Sequence, residues 1–336
     1  MMGMRFTKMH GCGNAYVYVD ARRDEVGDAA GFARQVADSE RGIGSDGLIL
    51  ICSGEVGDAR MEMYNADGSR GAMCGNGLRC VGKFVLDADS GIGRTWCAAD
   101  SASSVREQLH AAIEDRSSTL WEAEVYRALA HSIGECLSAE ADDVGIRVLN
   151  VDTDAGLKRL YGVSHRGSVV SLTADVGPIT LDVPPRFCTL SEPPIVERKV
   201  EVGGRRYRLT CVDVGSFHAV HFVDDVEAVD LETEGPQLEN ASFFPDRANI
   251  HFVEVLAADR LRLRIWERGS GITLACGTGS CAAVKAAVAT HRAENACRVD
   301  QPGGSVWVRL GEAELLTGPA EVVCTGDWRD GSPHYD

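Results

Sequence analysis

Two cysteines are each followed by the same pattern of glycines, and this repeat is the strongest chemical signal in the chain. Residues 74–77 are Cys-Gly-Asn-Gly and residues 276–279 are Cys-Gly-Thr-Gly. Each motif introduces an apolar, helix-forming run with a lysine, Lys83 or Lys285. Glycines let a backbone approach a ligand, and the N–H groups of a first helical turn bind an anion such as a carboxylate. The same partial positive charge lowers the pKa of a thiol placed there, from about 8.5 toward neutrality.

Two such thiols suit the inversion of a stereocentre. One thiolate can remove a proton while the other thiol delivers one to the opposite face, with both pKa values near the working pH. Matched halves fit a reversible inversion, because the reverse reaction exchanges the roles. We therefore expect Cys74 and Cys276 to be the opposing acid/base groups of an amino-acid racemase or epimerase.

Other roles for these cysteines stay open. One alternative is that both are buried packing residues. Another is that Cys74 with Cys80, and Cys276 with Cys281, bind zinc, although the spacing of the first pair is wrong for a zinc knuckle. We interpret Cys80 and Cys281 as core residues on helix faces. A phosphate loop would have Gly-Lys-Ser/Thr, and a thiol hydrolase would need one Cys–His pair rather than two matched cysteines. A non-catalytic ligand-binding relative is the remaining alternative.

Length, composition and charge are those of an ordinary globular protein. The chain has 336 residues, 44% hydrophobic and 25% charged, which is enough for two domains with separate cores. Its net charge of −16 argues against nucleic acid as a partner, because phosphate binding needs concentrated lysine and arginine. The sequence has neither a signal-peptide core nor a membrane-length apolar run, so we expect a cytoplasmic protein with no membrane partner and reduced cysteines.

Short β-forming segments dominate the pattern, with a few helices between them. Predicted strands include residues 16–19, 48–52, 60–64, 146–151, 169–176, 178–185, 210–214, 219–223, 250–256 and 261–266. Predicted helices cover residues 30–40, 78–87, 101–114, 120–136 and 280–293. This order predicts an α+β fold rather than a doubly wound series. The repeated thiol motif indicates that the two halves are versions of one structural unit.

Six motifs resemble those of the diaminopimelate epimerase family. They lie at residues 6–14, 42–47, 65–69, 73–80, 266–269 and 273–279, and the resemblance covers nearly the whole chain except about 98–145. It implies two pseudo-symmetric α/β domains with the active site in the cleft between them, and no pyridoxal phosphate or metal. It also implies a small-molecule substrate, with interconversion of LL- and meso-2,6-diaminopimelate on the route to lysine and peptidoglycan. A homodimer is compatible with it.

The same resemblance divides the chain. The N-terminal half, residues 1–180, carries Cys74 and a helical insert at about 98–145. The C-terminal half, residues 181–316, carries Cys276, and residues 317–336 return to the N-terminal half as a final strand and tail. The insert covers the cleft, mediates assembly or decorates the surface; the sequence does not choose between these.

The resemblance also assigns roles to individual residues. Glu267 and His218 would lie against the two thiols and set their protonation. Backbone amides at Gly75, Asn76, Gly277 and Thr278 would hold the reacting carboxylate. The distal end of the substrate would be held by Asn14, Asn65, Asn249 and Arg268. A guanidinium binds a carboxylate bidentately, and an amide both donates and accepts.

One departure bears on the substrate. The family usually has Asn-Pro-His where this chain has Ser216, Phe217 and His218. The missing asparagine would contact the distal amino-acid group, and a serine is shorter. Phe217 also adds bulk and removes a fixed turn. A racemase of another amino acid, for example histidine, is therefore the alternative.

Overall fold

The computed structural model describes residues 3–88, 91–115, 117–329 and 331–336. These residues form two units, one that runs to Asp175 and also includes Thr317–Asp336, and the other from Val176–Leu316. Both units mix strands and helices, so the predicted mixed architecture is confirmed. In the described residues, no helix combines the length and the apolar character needed to cross a membrane.

The first unit holds most of the elements. Its strands are β1 (Met4–Gly11), β2 (Asn14–Asp20), β3 (Gly47–Cys52), β4 (Ala59–Asn65), β5 (Arg70–Gly71), β6 (Arg94–Ser101), β7 (Asp142–Thr153), β8 (Gly156–His165) and β9 (Ser168–Asp175). Its helices are α1 (Ala29–Ala37), α2 (Gly75–Ala88), α3 (Ala102–Glu114) and α4 (Leu120–Cys136). Strands β19 (Glu321–Arg329) and β20 (Ser332–Tyr335) complete it, with β19 antiparallel to β1.

The second unit is shorter. Its strands are β10 (Arg198–Val202), β11 (Arg205–Asp213), β12 (Phe217–Phe222), β13 (Asn249–Ala257), β14 (Arg260–Glu267), β15 (Gly271–Ile272), β16 (Ala296–Gln301) and β17 (Gly304–Arg309). Its helices are α5 (Leu231–Glu239) and α6 (Gly277–Ala289), and β18 (Leu315–Gly318) spans the boundary between the units.

The two units repeat one topology. In the first, β1 and β2 are antiparallel, β2 and β3 are parallel across α1, and β3, β4 and β5 are antiparallel before α2. In the second, β11, β12, β13, β14 and β15 follow the same sequence of pairings, with α5 in the crossover and α6 at the end. Each series continues with a parallel strand, β7 beside β4 and β16 beside β14. This is the internal duplication that the thiol motifs predicted.

The strand registers show which individual residues of the two units are equivalent. Leu48 opposes Tyr64 in the first unit, and Ile250 opposes Trp266 in the second. The next position of β4 is Asn65 and the next of β14 is Glu267. Equivalent residues of the two units are separated by the same number of positions in the sequence as Cys74 and Cys276 are.

The segment β6–α3–α4 has no counterpart in the second unit. There the chain passes from α6 to β16 through residues 290–295, which are all described and form no helix or strand. Helix α3 begins with a cap from Ser101, and α4 with a capping box between Thr119 and Glu122. Both predicted helices of the hairpin are confirmed.

Glycines in the first turns of α2 and α6 let these helices pack closely against strands. A Cβ at Gly77 would lie 2.7 Å from Cδ1 of Ile49, and one at Gly279 would lie 2.3 Å from Cε1 of His251. The helices therefore start at Gly75 and Gly277, earlier than the predicted 78 and 280. The sequence pattern predicts that these glycines are loop residues, whereas close packing keeps them helical. Cys80 and Cys281 are fully buried on these helices, as predicted.

Some boundaries were wrong. Residues 178–185 contain prolines that cannot donate to a ladder, and they form only an isolated bridge from Thr180 to Asp213 instead of a strand. Helix α1 ends at Ala37 because Asp38 turns to bind the next backbone amides. Helix α6 ends at Ala289, and His291 has a positive φ. Helix α5 was missed because of its internal Pro236.

Candidate active site

The first thiol lies at the N-terminal end of α2. Cys74 directly precedes the helix, and the N–H of Gly77 donates a hydrogen bond to its sulfur at 3.5 Å. The thiol donates to Oδ1 of Asn14 at 3.2 Å. A helix N-terminus carries about half a positive charge, which favours an anionic sulfur. Cys74 is half-buried, whereas the neighbouring Cys80 is sealed in the core, where burial raises the pKa of its thiol to about 12.

Asp46 sets the orientation of the Asn14 amide. Nδ2 of Asn14 donates to the Asp46 carboxylate at 2.8 Å, and the N–H of Ala15 donates to the same oxygen at 2.7 Å. Since the amino group is held by the carboxylate, Oδ1 is the atom that meets the thiol. Burial raises the pKa of Asp46. Asp46 belongs to one of the motifs that carry the family resemblance, but the sequence predicts no role for it.

Asn65 closes the turn that leads to Cys74. Its Nδ2 donates to Oγ of Ser69 at 2.9 Å, and its backbone N–H donates to the carbonyl of Ser69 at 2.9 Å. The side chain therefore stabilises the loop, in addition to the substrate contact predicted for it.

The Asn76 side chain points into the protein. It is 1% exposed, and its Oδ1 accepts a hydrogen bond from Nη2 of Arg79 at 2.8 Å. Arg79 is itself fully buried and also donates to the carbonyl of Pro319 at 3.2 Å. The Asn76 side chain is thus engaged within the protein, and the carboxylate contact expected of its backbone N–H stays a prediction. Arg79 was quoted in a motif, but its supporting role was missed.

The second thiol has an equivalent setting. Cys276 caps α6, and its sulfur accepts the N–H of Gly279 at 3.3 Å and lies 3.5 Å from Oγ1 of Thr278. The backbone N–H of Cys276 donates to Oε1 of Gln301 at 2.8 Å. Gln301, at the end of β16, was missed because nothing in the local sequence connects it with the thiol motif.

Glu267 is the last residue of β14 and reaches the loop before Cys276. Its carboxylate accepts a hydrogen bond from Oγ1 of Thr273 at 2.6 Å. This hydrogen bond joins the end of β14 to the segment that precedes the thiol.

Asn249 and Arg268 lie together at the ends of β13 and β14. Oδ1 of Asn249 accepts the backbone N–H of Arg268 at 3.0 Å, and its Nδ2 donates to the carbonyl of Phe217 at 2.8 Å. The exposed guanidinium of Arg268 donates to the carbonyl of Asp246 at 2.9 Å. Asn249 therefore ties three strand ends together, and Arg268 retains further donors for a ligand.

His218 belongs to a buried chain of polar groups. Its Nε2 lies 2.8 Å from Oγ of Ser216, and its Nδ1 lies 2.8 Å from Nε2 of His251. Burial, with the neighbouring His251 and Arg268, holds the pKa of His218 well below its ordinary value, so its ring is neutral near pH 7. Phe217 stacks on Phe187 at 5.5 Å within the core of this unit. The added bulk at this position is thus core packing.

Hydrogen bonds join several of the predicted site residues within each unit. In the first unit the thiol of Cys74 bonds Asn14, and Asn65 bonds Ser69 in the turn before β5. The second brings Glu267 and Thr278 to the loop and helix start of Cys276, and joins Asn249 to Arg268 and Ser216 to His218. Among the described residues, no three His, Cys, Asp or Glu side chains are grouped as a metal site would require.

Comparison with known proteins finds relatives along nearly the whole chain. A diaminopimelate epimerase from Geobacillus thermodenitrificans is 37% identical over 332 residues, covering 97% of each chain. One from Desulfovibrio desulfuricans is 35% identical over 337 residues, covering 97% of this chain and 99% of its own.

Solved structures share the fold at much lower identity. A probable proline racemase from Agrobacterium radiobacter has a TM-score of 0.62 and 13% identity, covering 97% of this chain and 93% of its own. A hydroxyproline epimerase from Agrobacterium vitis has a TM-score of 0.58 and 14% identity, covering 96% of this chain and 91% of its own. The family model for diaminopimelate epimerase matches residues 6–95 and 210–323, which include both thiol motifs. The chain belongs to the diaminopimelate epimerase family.

Proposed function

We propose that this protein epimerises LL-2,6-diaminopimelate to the meso form without a cofactor, in the cytoplasm, as a step toward lysine and peptidoglycan. The observation that supports this most is the duplicated thiol site. In each unit a cysteine stands at the start of a buried helix, with its sulfur accepting a first-turn N–H. Full-length relatives that carry this name support the substrate.

The reacting carboxylate would bind the first-turn amides of α2 and α6. These N–H groups lack acceptors within their own helix, and the helix dipoles favour an anion. Gly75 and Asn76 would contribute on one side, and Gly277 and Thr278 on the other. Holding the carboxylate this way also stabilises the negative charge that develops when the α-proton leaves.

The two thiols would then divide the proton transfer. One thiolate takes the α-proton and becomes a thiol, while the opposite thiol gives its proton to the other face and becomes a thiolate. Exchange with solvent resets the pair. Glu267 and His218 would adjust the protonation of the thiols, and His218 would do so as a neutral donor or acceptor because its pKa is depressed.

The distal end of the substrate would be read by Asn14, Asn65, Asn249 and Arg268. Arg268 suits the distal carboxylate. Ser216 shares this region with His218, and its hydroxyl would replace the amide that the family usually has. An alternative substrate such as histidine lacks the distal carboxylate and would leave Arg268 unpaired.

The direct test is conversion of LL-diaminopimelate by the purified protein without added cofactor. Stereoisomers are separated by chiral chromatography, with histidine and other monocarboxylic amino acids as comparison substrates. We expect meso-diaminopimelate to form and the monocarboxylic amino acids to react far more slowly. Turnover of histidine without turnover of diaminopimelate would contradict the proposed substrate but not the two-thiol mechanism.

A further inference from the structure

A second histidine lies behind His218 and forms no part of the predicted site. Nε2 of His251 is 2.8 Å from Nδ1 of His218, and both side chains are almost completely buried. His218 pairs with Asn249 across the parallel strands β12 and β13, so His251, two residues further along β13, shares its face of the sheet.

The space that His251 fills does not require an imidazole. Its ring packs against Gly279 in the first turn of α6, where a Cβ would be 2.3 Å away. The equivalent residue of the first unit is Ile49, which lies in the same way against Gly77 of α2. An aliphatic side chain therefore fills this slot in one unit, and an imidazole hydrogen-bonded to His218 fills it in the other.

The positions of the protons follow from the buried nitrogen atoms. Two neutral imidazoles that share one hydrogen bond have two arrangements. If His218 donates from Nδ1, His251 must carry its proton on its own Nδ1, which is buried and has no hydrogen-bond partner. If His251 donates from Nε2, its Nδ1 is an unpaired lone pair instead.

The second arrangement is the less costly one. Buried N–H groups without an acceptor are rarer in proteins than acceptors without a donor. The ring of His251 also lies against the positive end of α6, where a lone pair is favoured over a further N–H. Protonating both nitrogens of either ring would place a charge in the core.

We infer that His251 is a positioning residue for His218. It donates its Nε2–H to Nδ1 of His218, which keeps the His218 proton on Nε2, the atom 2.8 Å from Oγ of Ser216. Ser216 then accepts from His218 and turns its own O–H toward an acceptor on the substrate. This inference rests on the proposed function and deepens it, since it states which ring nitrogen atoms beside Ser216 carry protons.

The tautomers can be observed without any reaction. In protein labelled with ¹⁵N-histidine, long-range ¹H–¹⁵N correlation distinguishes Nδ1–H, Nε2–H and imidazolium rings. The nine histidines are separated by comparing the spectrum with those of His218→Gln and His251→Gln. We expect both rings to be neutral and protonated on Nε2 at pH 7. A His218 ring protonated on Nδ1, or doubly protonated, would overturn the inference.

Paired variants test the effect on turnover. His251→Ile copies Ile49 and removes the donor, so we expect kcat for LL-diaminopimelate to fall at least ~10-fold, with KM changing less. His251→Gln retains an N–H donor and should recover most of the lost kcat. His221→Gln, an imidazole loss on the opposite face of β12, is the control and should leave kcat unchanged.

Equal losses in the two His251 variants, or a native kcat in His251→Ile, would refute the positioning role. Should His251→Ile fail to fold, the tautomers of the native protein and the kcat of His251→Gln decide. A protein that shows the expected tautomers but does not convert diaminopimelate would support the inference and refute the proposed substrate.

Discussion

Asn65 and Glu267 occupy the same position in the two units. Each is the last residue of its strand, and each side chain bonds a hydroxyl of the segment that runs on to the thiol, namely Ser69 before β5 or Thr273 after β15. The first unit has a neutral amide where the second has a carboxylate. The segments that lead to the two thiols therefore differ in charge at an equivalent position, and this asymmetry would suit the proposed pair, in which one sulfur starts as the base and the other as the acid.

Substituting Glu267 or Asn65 should change the reactivity of the thiol in the same unit. A nearby carboxylate disfavours a thiolate, so Glu267→Gln should speed alkylation of Cys276 by iodoacetamide several-fold at pH 7. Asn65→Asp is the matched reverse change and should slow alkylation of Cys74. Rates are measured for each cysteine by peptide mass spectrometry. If neither substitution altered the rate at its own thiol, the electrostatic asymmetry would have no chemical consequence.

Ser216 and Phe217 should respond differently to the residues usual in the family. Ser216→Asn restores an amide at a half-buried position, and we expect kcat/KM for LL-diaminopimelate to rise relative to monocarboxylic amino acids. Phe217→Pro removes a ring stacked on Phe187 and packed against Phe244, so we expect a loss of about 3 kcal/mol or more in the free energy of unfolding. Urea denaturation measures the second effect. An unchanged stability would show that the aromatic cluster contributes little.

Oxidation should inactivate the protein reversibly. If Cys74 and Cys276 act on one carbon atom, oxidised glutathione should join or cap them, and dithiothreitol should restore activity. The chain offers a control in Cys188 and Cys211, whose sulfurs are 3.9 Å apart in the core. Their mutual hydrogen bond and burial hold the pKa of Cys211 well above its ordinary value, which disfavours its thiolate. Cys188→Ala should therefore remain sensitive to oxidation; an insensitive Cys188→Ala would place the redox effect in the core pair.

The buried histidines should weaken the fold in acid. Burial lowers the pKa of His251 to about 3, whereas an unfolded histidine titrates near 6.5. Between these values the unfolded chain binds a proton that the folded chain does not, so stability falls as the pH is lowered from 6.5 toward 3. The slope is up to about 1.4 kcal/mol per pH unit for each such histidine. His251→Gln should flatten this decline in urea denaturation series, and the exposed His334→Gln should not; identical slopes in both variants would contradict the assignment.

The duplication was visible in the sequence because residues 74–77 and 276–279 carry the same pattern of glycines at a helix start. The equivalence of Asn65 with Glu267 was hidden, because the two positions carry different side chains. The available signal was that equivalent residues of the two halves are a constant number of positions apart in the sequence. This holds from the pair Asn14 and Ser216 to the pair Gly77 and Gly279.

Supporting residues were harder to find. Asp46 and Gln301 act through hydrogen bonds to partners far along the chain, and Arg79 bonds distant Pro319 as well as its neighbour Asn76, so no local pattern marks most of these pairs. His251 became relevant only through the parallel register of β12 and β13, which places it beside His218. Helix starts were misplaced for a related reason, since the packing of glycines on a strand is a tertiary effect that overrides propensity.

The central claim, that two different thiols exchange the α-proton, is tested most directly by following deuterium early in the reaction. LL-diaminopimelate is incubated in D₂O, and isotope content is measured separately in recovered substrate and in new meso product at low conversion. A thiol that removes the proton holds it, while the opposite thiol supplies a solvent-derived deuteron, so the product should carry deuterium and the recovered substrate should carry almost none. Cys74→Ala and Cys276→Ala, each lacking one of the two groups, should form no meso product. Unlabelled product, or meso formation by either alanine variant, would contradict the two-thiol mechanism.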